Sequence, residues 1–151
     1  MSIKHTILLV EDNADDEQLT IRALERANVA NDLFVVRDGA EALAYLFCTE
    51  KYSSRDPDDA PQVVLLDLRL PKVSGLEVLR AVRANPRTRS QPIVVLTSSD
   101  MERDIEEAYE LGANSFVTKP VRFQDFTEAV RQVGLYWVLL NKPMKPKLDS
   151  A

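Results

Sequence analysis

The sequence predicts an α/β fold: a doubly wound, five-stranded parallel sheet with strand order 2-1-3-4-5, a flavodoxin-like three-layer sandwich. Three observations predict it. Short apolar runs alternate five times with segments of helical spacing, the pattern of a parallel sheet covered by helices. Four of the runs are continuous β-branched or leucine-rich stretches, as strands buried on both faces require. Right-handed crossovers and this element count favour a chain that reverses direction between strands 1 and 3, where such folds bind ligands outside the carboxyl ends of the strands.

The first run, Thr6 to Val10, is followed by Leu19, Ala23, Leu24 and Ala27 at three- and four-residue spacing, a helix. Leu33 to Val36 is the second strand and Ala40 to Phe47 the second helix-forming stretch. Cys48 to Pro61 is long and polar, which predicts a protruding loop before the third strand, Gln62 to Leu66. Ser74 with Glu77, and Ser99 with Glu102, are capping-box pairs that start the third and fourth helices, the latter after the strand Ile93 to Thr97. Gly112 after Leu111 predicts a helix stop before the fifth strand, Ser115 to Thr118. The last helix has a buried stripe of Phe123, Phe126, Val130 and Val133. Its continuation, Leu135-Tyr136-Trp137-Val138-Leu139-Leu140, is apolar all round, and a partner surface including Tyr136 and Trp137 is the expectation. The domain is taken as 1–140, and 141–151, with Pro143 and Pro146, as a flexible C-terminal tail.

A length of 151 residues suits one domain. The net charge of -5 argues against nucleic acid as a ligand, and the basic residues Lys142, Lys145 and Lys147 are too few to reverse that. Cys48 is the only cysteine, which excludes an intramolecular disulfide and a multi-cysteine metal site. No apolar stretch is long enough for a membrane span or a signal-peptide core, so a cytoplasmic protein is expected. His5, the only histidine, reads as a surface residue ahead of the first strand.

Function is carried by the strand ends. Glu11 and Asp12 close the first run and Asp67 closes the third, so neighbouring parallel strands bring three carboxylates to one sheet edge. Two unit charges about 4 Å apart repel by roughly 4 kcal/mol at an effective dielectric near 20, and three require compensation. Lys119, which ends the fifth strand, supplies one positive charge, and a divalent oxygen-seeking ion such as Mg²⁺ fits the remaining two negative charges. Asp12 and Asp67 are the expected direct ligands, with the backbone carbonyl of Arg69 as a third and Glu11 acting through water. Beside such an ion Asp67 can be a nucleophile toward a phosphoryl group, while Thr97, which ends the fourth strand, and Lys119 take phosphoryl oxygens.

These pieces resemble the response-regulator receiver domain family over nearly the whole chain. The matching segments are Ile7-Leu8-Leu9-Val10-Glu11-Asp12-Asn13, Leu65-Leu66-Asp67-Leu68-Arg69-Leu70-Pro71-Lys72-Val73-Ser74-Gly75, Val94-Val95-Leu96-Thr97-Ser98 and Gly112-Ala113-Asn114-Ser115-Phe116-Val117-Thr118-Lys119-Pro120. The resemblance implies that Asp67 accepts phosphate from a histidine kinase, that Asp12 helps hold Mg²⁺, that Thr97 and Lys119 contact the phosphate, and that Lys119-Pro120 is a cis peptide. It also implies a switch in which Phe116 swings inward as Thr97 shifts, reshaping the surface of helix 4, strand 5 and helix 5. Glu11 stands where many members have Asp, and Arg69 and Ser99 match positions that tune dephosphorylation.

Val35-Val36-Arg37-Asp38-Gly39, the long loop and Gly134-Leu135-Tyr136-Trp137 resemble the stand-alone response regulators of bacterial phytochrome kinases. That narrower likeness implies a bacteriophytochrome-type kinase as partner, no output domain, and a homodimer through the last helix. Two other classes compete. A haloacid-dehalogenase-like phosphatase also uses a strand-end Asp, Mg²⁺ and Lys, but it needs a second acid where this chain has Arg69. A flavin or nucleotide binder needs glycines and hydroxyls in the first loop, where Glu11-Asp12-Asn13-Ala14-Asp15-Asp16 offers anions.

Overall fold

The computed structural model describes residues 6–26, 32–119 and 122–140, and the side chains of all of these except Phe123 and Val138 to Leu140. Five strands, β1 (Thr6–Val10), β2 (Asp32–Val36), β3 (Val63–Leu66), β4 (Ile93–Thr97) and β5 (Ser115–Thr118), form one parallel sheet in the order β2-β1-β3-β4-β5. Helices α1 (Ala14–Arg26), α2 (Gly39–Phe47), α3 (Gly75–Ala84), α4 (Glu102–Glu110) and α5 (Phe123–Gly134) alternate with them. The predicted fold class, strand order and all five strands are as observed, to within a residue at the start of β2 and β3.

Strand side chains alternate between the two faces of the sheet, so each strand contributes to two cores. Leu8, Val10, Val64, Leu66, Ile93 and Val95 pack against Ala42, Leu46, Val78, Leu79, Val82 and Ala108 of α2, α3 and α4. Ile7, Leu9, Val63, Leu65, Val94 and Leu96 pack against Ala23, Leu24, Phe126 and Val130 of α1 and α5. The register pairs Val10 with Leu66 between β1 and β3, so the residues after them, Glu11 and Asp67, leave the sheet side by side.

Each helix start has its own local cause. Asn13 caps α1, its side-chain oxygen accepting from the backbone N–H of Asp15 (2.9 Å) and Asp16 (3.0 Å). The acids Asp15, Asp16 and Glu17 then occupy the first turn, where the helix dipole favours negative charge. Asp38 caps α2 through the N–H of Glu41 (2.7 Å), and Ser74 caps α3 through the N–H of Glu77 (3.3 Å). Gly75 is required by close approach: a Cβ there would lie 2.3 Å from the carbonyl oxygen of Asp67. Gly112, at φ +99°, ends α4 as predicted.

Three expectations are corrected. Ser99 does not cap α4; Met101 holds that position, and the Ser99 hydroxyl instead donates to Asp104 Oδ2 at 2.5 Å. Asp104, the third residue of α4, takes the hydroxyl proton, and the Ser99 oxygen in turn accepts from the Met101 N–H at 3.4 Å, ahead of the helix. The segment after Cys48 is not a protruding loop throughout. A short 3₁₀ turn, Glu50–Tyr52, brings Tyr52 edge-on against Tyr45 (5.1 Å) and Phe34 (5.8 Å), and the Arg55 guanidinium lies 3.7 Å from the Tyr45 ring centre. Finally, α5 runs on through a wider, π-type turn, Leu135–Leu140, and there Trp137 is buried in the second core rather than offered to a partner, while Tyr136 is half exposed. Trp137 is the bulkiest side chain of the segment, and Val133 and Leu135 pack beside it against that core.

His5, Ala27, Pro120 with the predicted cis Lys119-Pro120 bond, and the 141–151 tail lie outside the described residues. So do the side chains of Phe123, Val138, Leu139 and Leu140. Among the described residues no helix is long and apolar enough to cross a membrane.

Candidate functional site

The carboxyl edge of the sheet gathers the predicted acids. Ligand oxygens of Glu11, Asp12 and Asp67 all lie within 4.8 Å of one another, with Glu11 and Asp67 buried and Asp12 exposed. Backbone bonds fix the two buried members: the N–H of Glu11 donates to Val36 O (3.0 Å) and that of Asp67 to Val10 O (3.1 Å). Each acid is thus held by the continuation of the ladder that forms its strand.

Lys119 joins them from β5, its backbone N–H donating to Thr97 O at 2.7 Å. Its ammonium is 6% exposed and contacts the Glu11 carboxylate, Asp67 Oδ2 at 3.1 Å and Asp16 Oδ2 at 2.9 Å. An ammonium has three protons, and each meets a carboxylate. Burial, the largest single influence, would lower its pKa, but the hydrogen bonds to Glu11 and Asp16 together with the charges of Asp67 and Glu11 raise it, so Lys119 stays charged. Burial pushes the Glu11 carboxyl up to about 7 against the pull of Lys119. Asp67 Oδ1 accepts from the Arg69 N–H at 3.3 Å, which leaves the Asp67 carboxylate gripped at both oxygens.

Thr97 is fully buried at the end of β4, where its hydroxyl oxygen accepts from the Ser99 N–H at 3.4 Å. Phe116 is half buried on β5 opposite Val95, against the α2/α3/α4 core. Tyr136 and Trp137, 5.1 Å apart edge to face, lie in the segment that follows α5. The structure therefore brings Glu11, Asp12, Asp67 and Lys119 into one cluster and places the Arg69 backbone at its rim.

Asp16 was missed by the sequence reading, which counted three acids and one base. It belongs to the first turn of α1, and acids in a first turn are ordinary dipole partners. Only the angle at which α1 leaves β1 carries Asp16 to Lys119, so the signal available was the acidic run Asp15-Asp16-Glu17, which begins three residues past Asp12.

Cations and anions both have a place in such a cluster. Four carboxylates against one ammonium leave excess negative charge suited to a hard divalent cation. A carboxylate fixed at both oxygens beside an ammonium suits nucleophilic attack on a phosphoryl group.

Comparison with known proteins agrees with this chemistry. The family model for the response regulator receiver domain matches residues 7–131. The probable methanogenesis regulatory protein FilR2 of Methanothrix harundinacea is 41% identical over 140 residues, 93% of this chain and 88% of that one. Response regulator Rcp1 of Synechocystis is 36% identical over 132 residues, 87% of this chain and 88% of that one, and its Mn²⁺-bound structure superposes with a TM-score of 0.85 over 93% of this chain and 99% of that chain. The phosphorylated cyanobacterial phytochrome response regulator RcpA, 35% identical, gives a TM-score of 0.87 over 93% and 99% of the two chains. The bacteriophytochrome response regulator AtBRR, 51% identical, gives 0.74 over 93% and 100%. With its strand order, its acid-lysine cluster and a family match over most of its length, this chain belongs to the response regulator receiver domain family.

Proposed function

We propose that Asp67 is the phosphoryl acceptor of a single-domain response regulator whose donor is a histidine kinase of the bacteriophytochrome type, acting in the cytoplasm. The observation that carries this reading is the Lys119 ammonium held 3.1 Å from Asp67 Oδ2 among the acids that end β1. In the reaction the P–N bond of a phosphohistidine breaks, an O–P bond to Asp67 forms, and the imidazole nitrogen recovers its electron pair. Lys119 and Thr97 take phosphoryl oxygens. The chain catalyses only its own phosphorylation and dephosphorylation.

The donor set fits Mg²⁺: hard carboxylate oxygens of Asp12 and Asp67 as ligands, the Arg69 carbonyl as a further one, and Glu11 through water. When bound, the ion supplies charge neutralisation of the transferring group. Phosphorylation biases a two-state equilibrium through Thr97 and Phe116, and the helix 4, strand 5, helix 5 surface reads it out to a partner or a second copy. Tyr136, half exposed in the last helical segment, is the residue we place in the homodimer contact, with Trp137 supporting it from the core. Residues 1–140 are the domain and 141–151 its tail. The likeness to RcpA, a cyanobacterial phytochrome response regulator, and to AtBRR, a bacteriophytochrome response regulator, supports the phytochrome link.

A haloacid-dehalogenase-like phosphatase is disfavoured, because Arg69 stands where that chemistry needs a second acid and its amide serves to hold Asp67. Incubation with a small-molecule phosphodonor and Mg²⁺ is expected to add one phosphoryl mass to the wild type and none to Asp67→Asn, with no turnover of a generic phosphate ester. An unmodified wild type rejects the reading.

A further inference from the structure

Lys119 has more partners than the reaction needs. Its three carboxylates differ in what they lose when one of its protons must turn to a phosphoryl oxygen. The Glu11 side chain is 2% exposed, and a buried carboxylate without its counter-charge is strongly unfavourable. Asp67 is the group that carries the phosphoryl. Asp16 is 31% exposed on the first turn of α1, so water can replace the ammonium there at the smallest loss.

We propose that Asp16 is a positioning residue that competes with the phosphoryl group for the Lys119 ammonium, so that release of Asp16 from Lys119 accompanies occupancy of Asp67. The proposal rests on the reading of Asp67 as phosphoryl acceptor. Its chemistry is an exchange of one anion for another at a fixed cation. While Asp16 keeps its charge, it draws Lys119 toward α1 and opposes a second anion; without that charge, Lys119 is free for the incoming oxygens.

Beryllofluoride, an anion that mimics a phosphoryl group on a carboxylate, measures this without turnover. Its affinity is read by calorimetric titration of the full chain in saturating Mg²⁺. Asp16→Asn is expected to bind it about three- to fivefold more tightly than the wild type, the range set by an ion pair with one partner a third exposed. Asp16→Glu, which keeps the charge on the same helix turn, is expected to return to wild-type affinity within about twofold. In a Lys119→Gln background the gain from Asp16→Asn is expected to vanish, since a residue acting through Lys119 has nothing to act on once it is gone. A purely structural tie between α1 and β5 would lower the melting temperature of Asp16→Asn without tightening the anion, and that result overturns the proposal. A gain that persists unchanged without Lys119 overturns it as well. A wild type that binds no beryllofluoride and takes no phosphodonor overturns the Asp67 reading and this role together, whereas a wild type that does both while Asp16→Asn matches it overturns this role alone.

Discussion

Lys119 and Arg83 cross-link the same sheet at its two ends, and they are built in opposite ways. At the carboxyl end Lys119 meets the carboxylates of Glu11, Asp16 and Asp67. At the amino end the Arg83 guanidinium reaches from α3 to neutral oxygens just ahead of β4 and β5: Gln91 O (2.8 Å), Gly112 O (2.8 Å) and Asn114 Oδ1 (2.9 Å). Among the described residues Arg83 has no ion pair with an acid. Burial lowers its pKa, while the carboxylates around Lys119 raise that of the ammonium in spite of burial. The contrast separates a finished joint from an unfinished one. Arg83 gives three of its five N–H groups to neutral oxygens, whereas Lys119 sits in an excess of negative charge that suits a further cation.

The largest test of that contrast removes each cation in turn. Lys119→Met leaves Glu11 and Asp67 buried without their shared counter-charge, and breaking such a buried arrangement costs about 3–5 kcal/mol. Urea unfolding well above pH 7 is expected to show that loss, since without Lys119 the Glu11 carboxyl rises further and its deprotonation must be forced, and millimolar Mg²⁺ is expected to recover much of it. A variant as stable as the wild type, or one indifferent to Mg²⁺, would mean the cluster is not charge-limited.

Arg83→Met is expected to cost less, about 2 kcal/mol, because the abandoned acceptors are neutral and two of them are near enough to solvent to be rehydrated. Mg²⁺ should restore none of it. Gly112 sharpens the same point: a Cβ there would lie 2.9 Å from Arg83 Nε, so the glycine that ends α4 also clears the path of the guanidinium. Recovery of Arg83→Met by a divalent ion would erase the distinction between the two ends.

These two cations also mark where the sequence was legible. Apolar runs declare buried strands, and acids or a lysine placed directly after such runs declare a strand-end cluster; Glu11, Asp12, Asp67 and Lys119 were readable for that reason. Asp16 was hidden because acids in a first turn are common and its contact depends on a helix angle. Arg83 was hidden because its partners are mostly backbone carbonyls, which every residue carries. The segment after Cys48 reads as polar and long, yet Tyr52 and Arg55 fold it against Tyr45, an aromatic contact between distant positions that no local pattern announces. Trp137 misled for the opposite reason: an all-apolar segment suggests a partner, but a π-type turn rotates its largest ring into the chain's own core.

The last expected effect concerns protons. Burial raises the Glu11 carboxyl from 4.5 to about 7, so between these values the folded chain without a divalent ion binds a proton that the unfolded chain has released. Stability from this group is therefore fully present below about pH 4.5 and is lost as pH rises through about 7. The groups facing Glu11 are Lys119 from the end of β5, Asp67 from β3, Asp12 beside it and, across Lys119, Asp16 from α1. Melting temperatures in chelator are expected to fall over that window, and Glu11→Gln is the control that should remove the part due to Glu11. A divalent ion needs the same carboxylate deprotonated, so its affinity is expected to rise across the window while the melting temperature in saturating Mg²⁺ stays level. The oxygens that Arg83 meets, on Gln91, Gly112 and Asn114, are carbonyl and amide groups with no proton to gain there, so Arg83→Met should lower the whole profile without changing its shape. A profile that rises from pH 5 to 8 in chelator would show that Lys119 governs Glu11 more strongly than burial does, and would make the carboxyl end as complete a joint as the amino end.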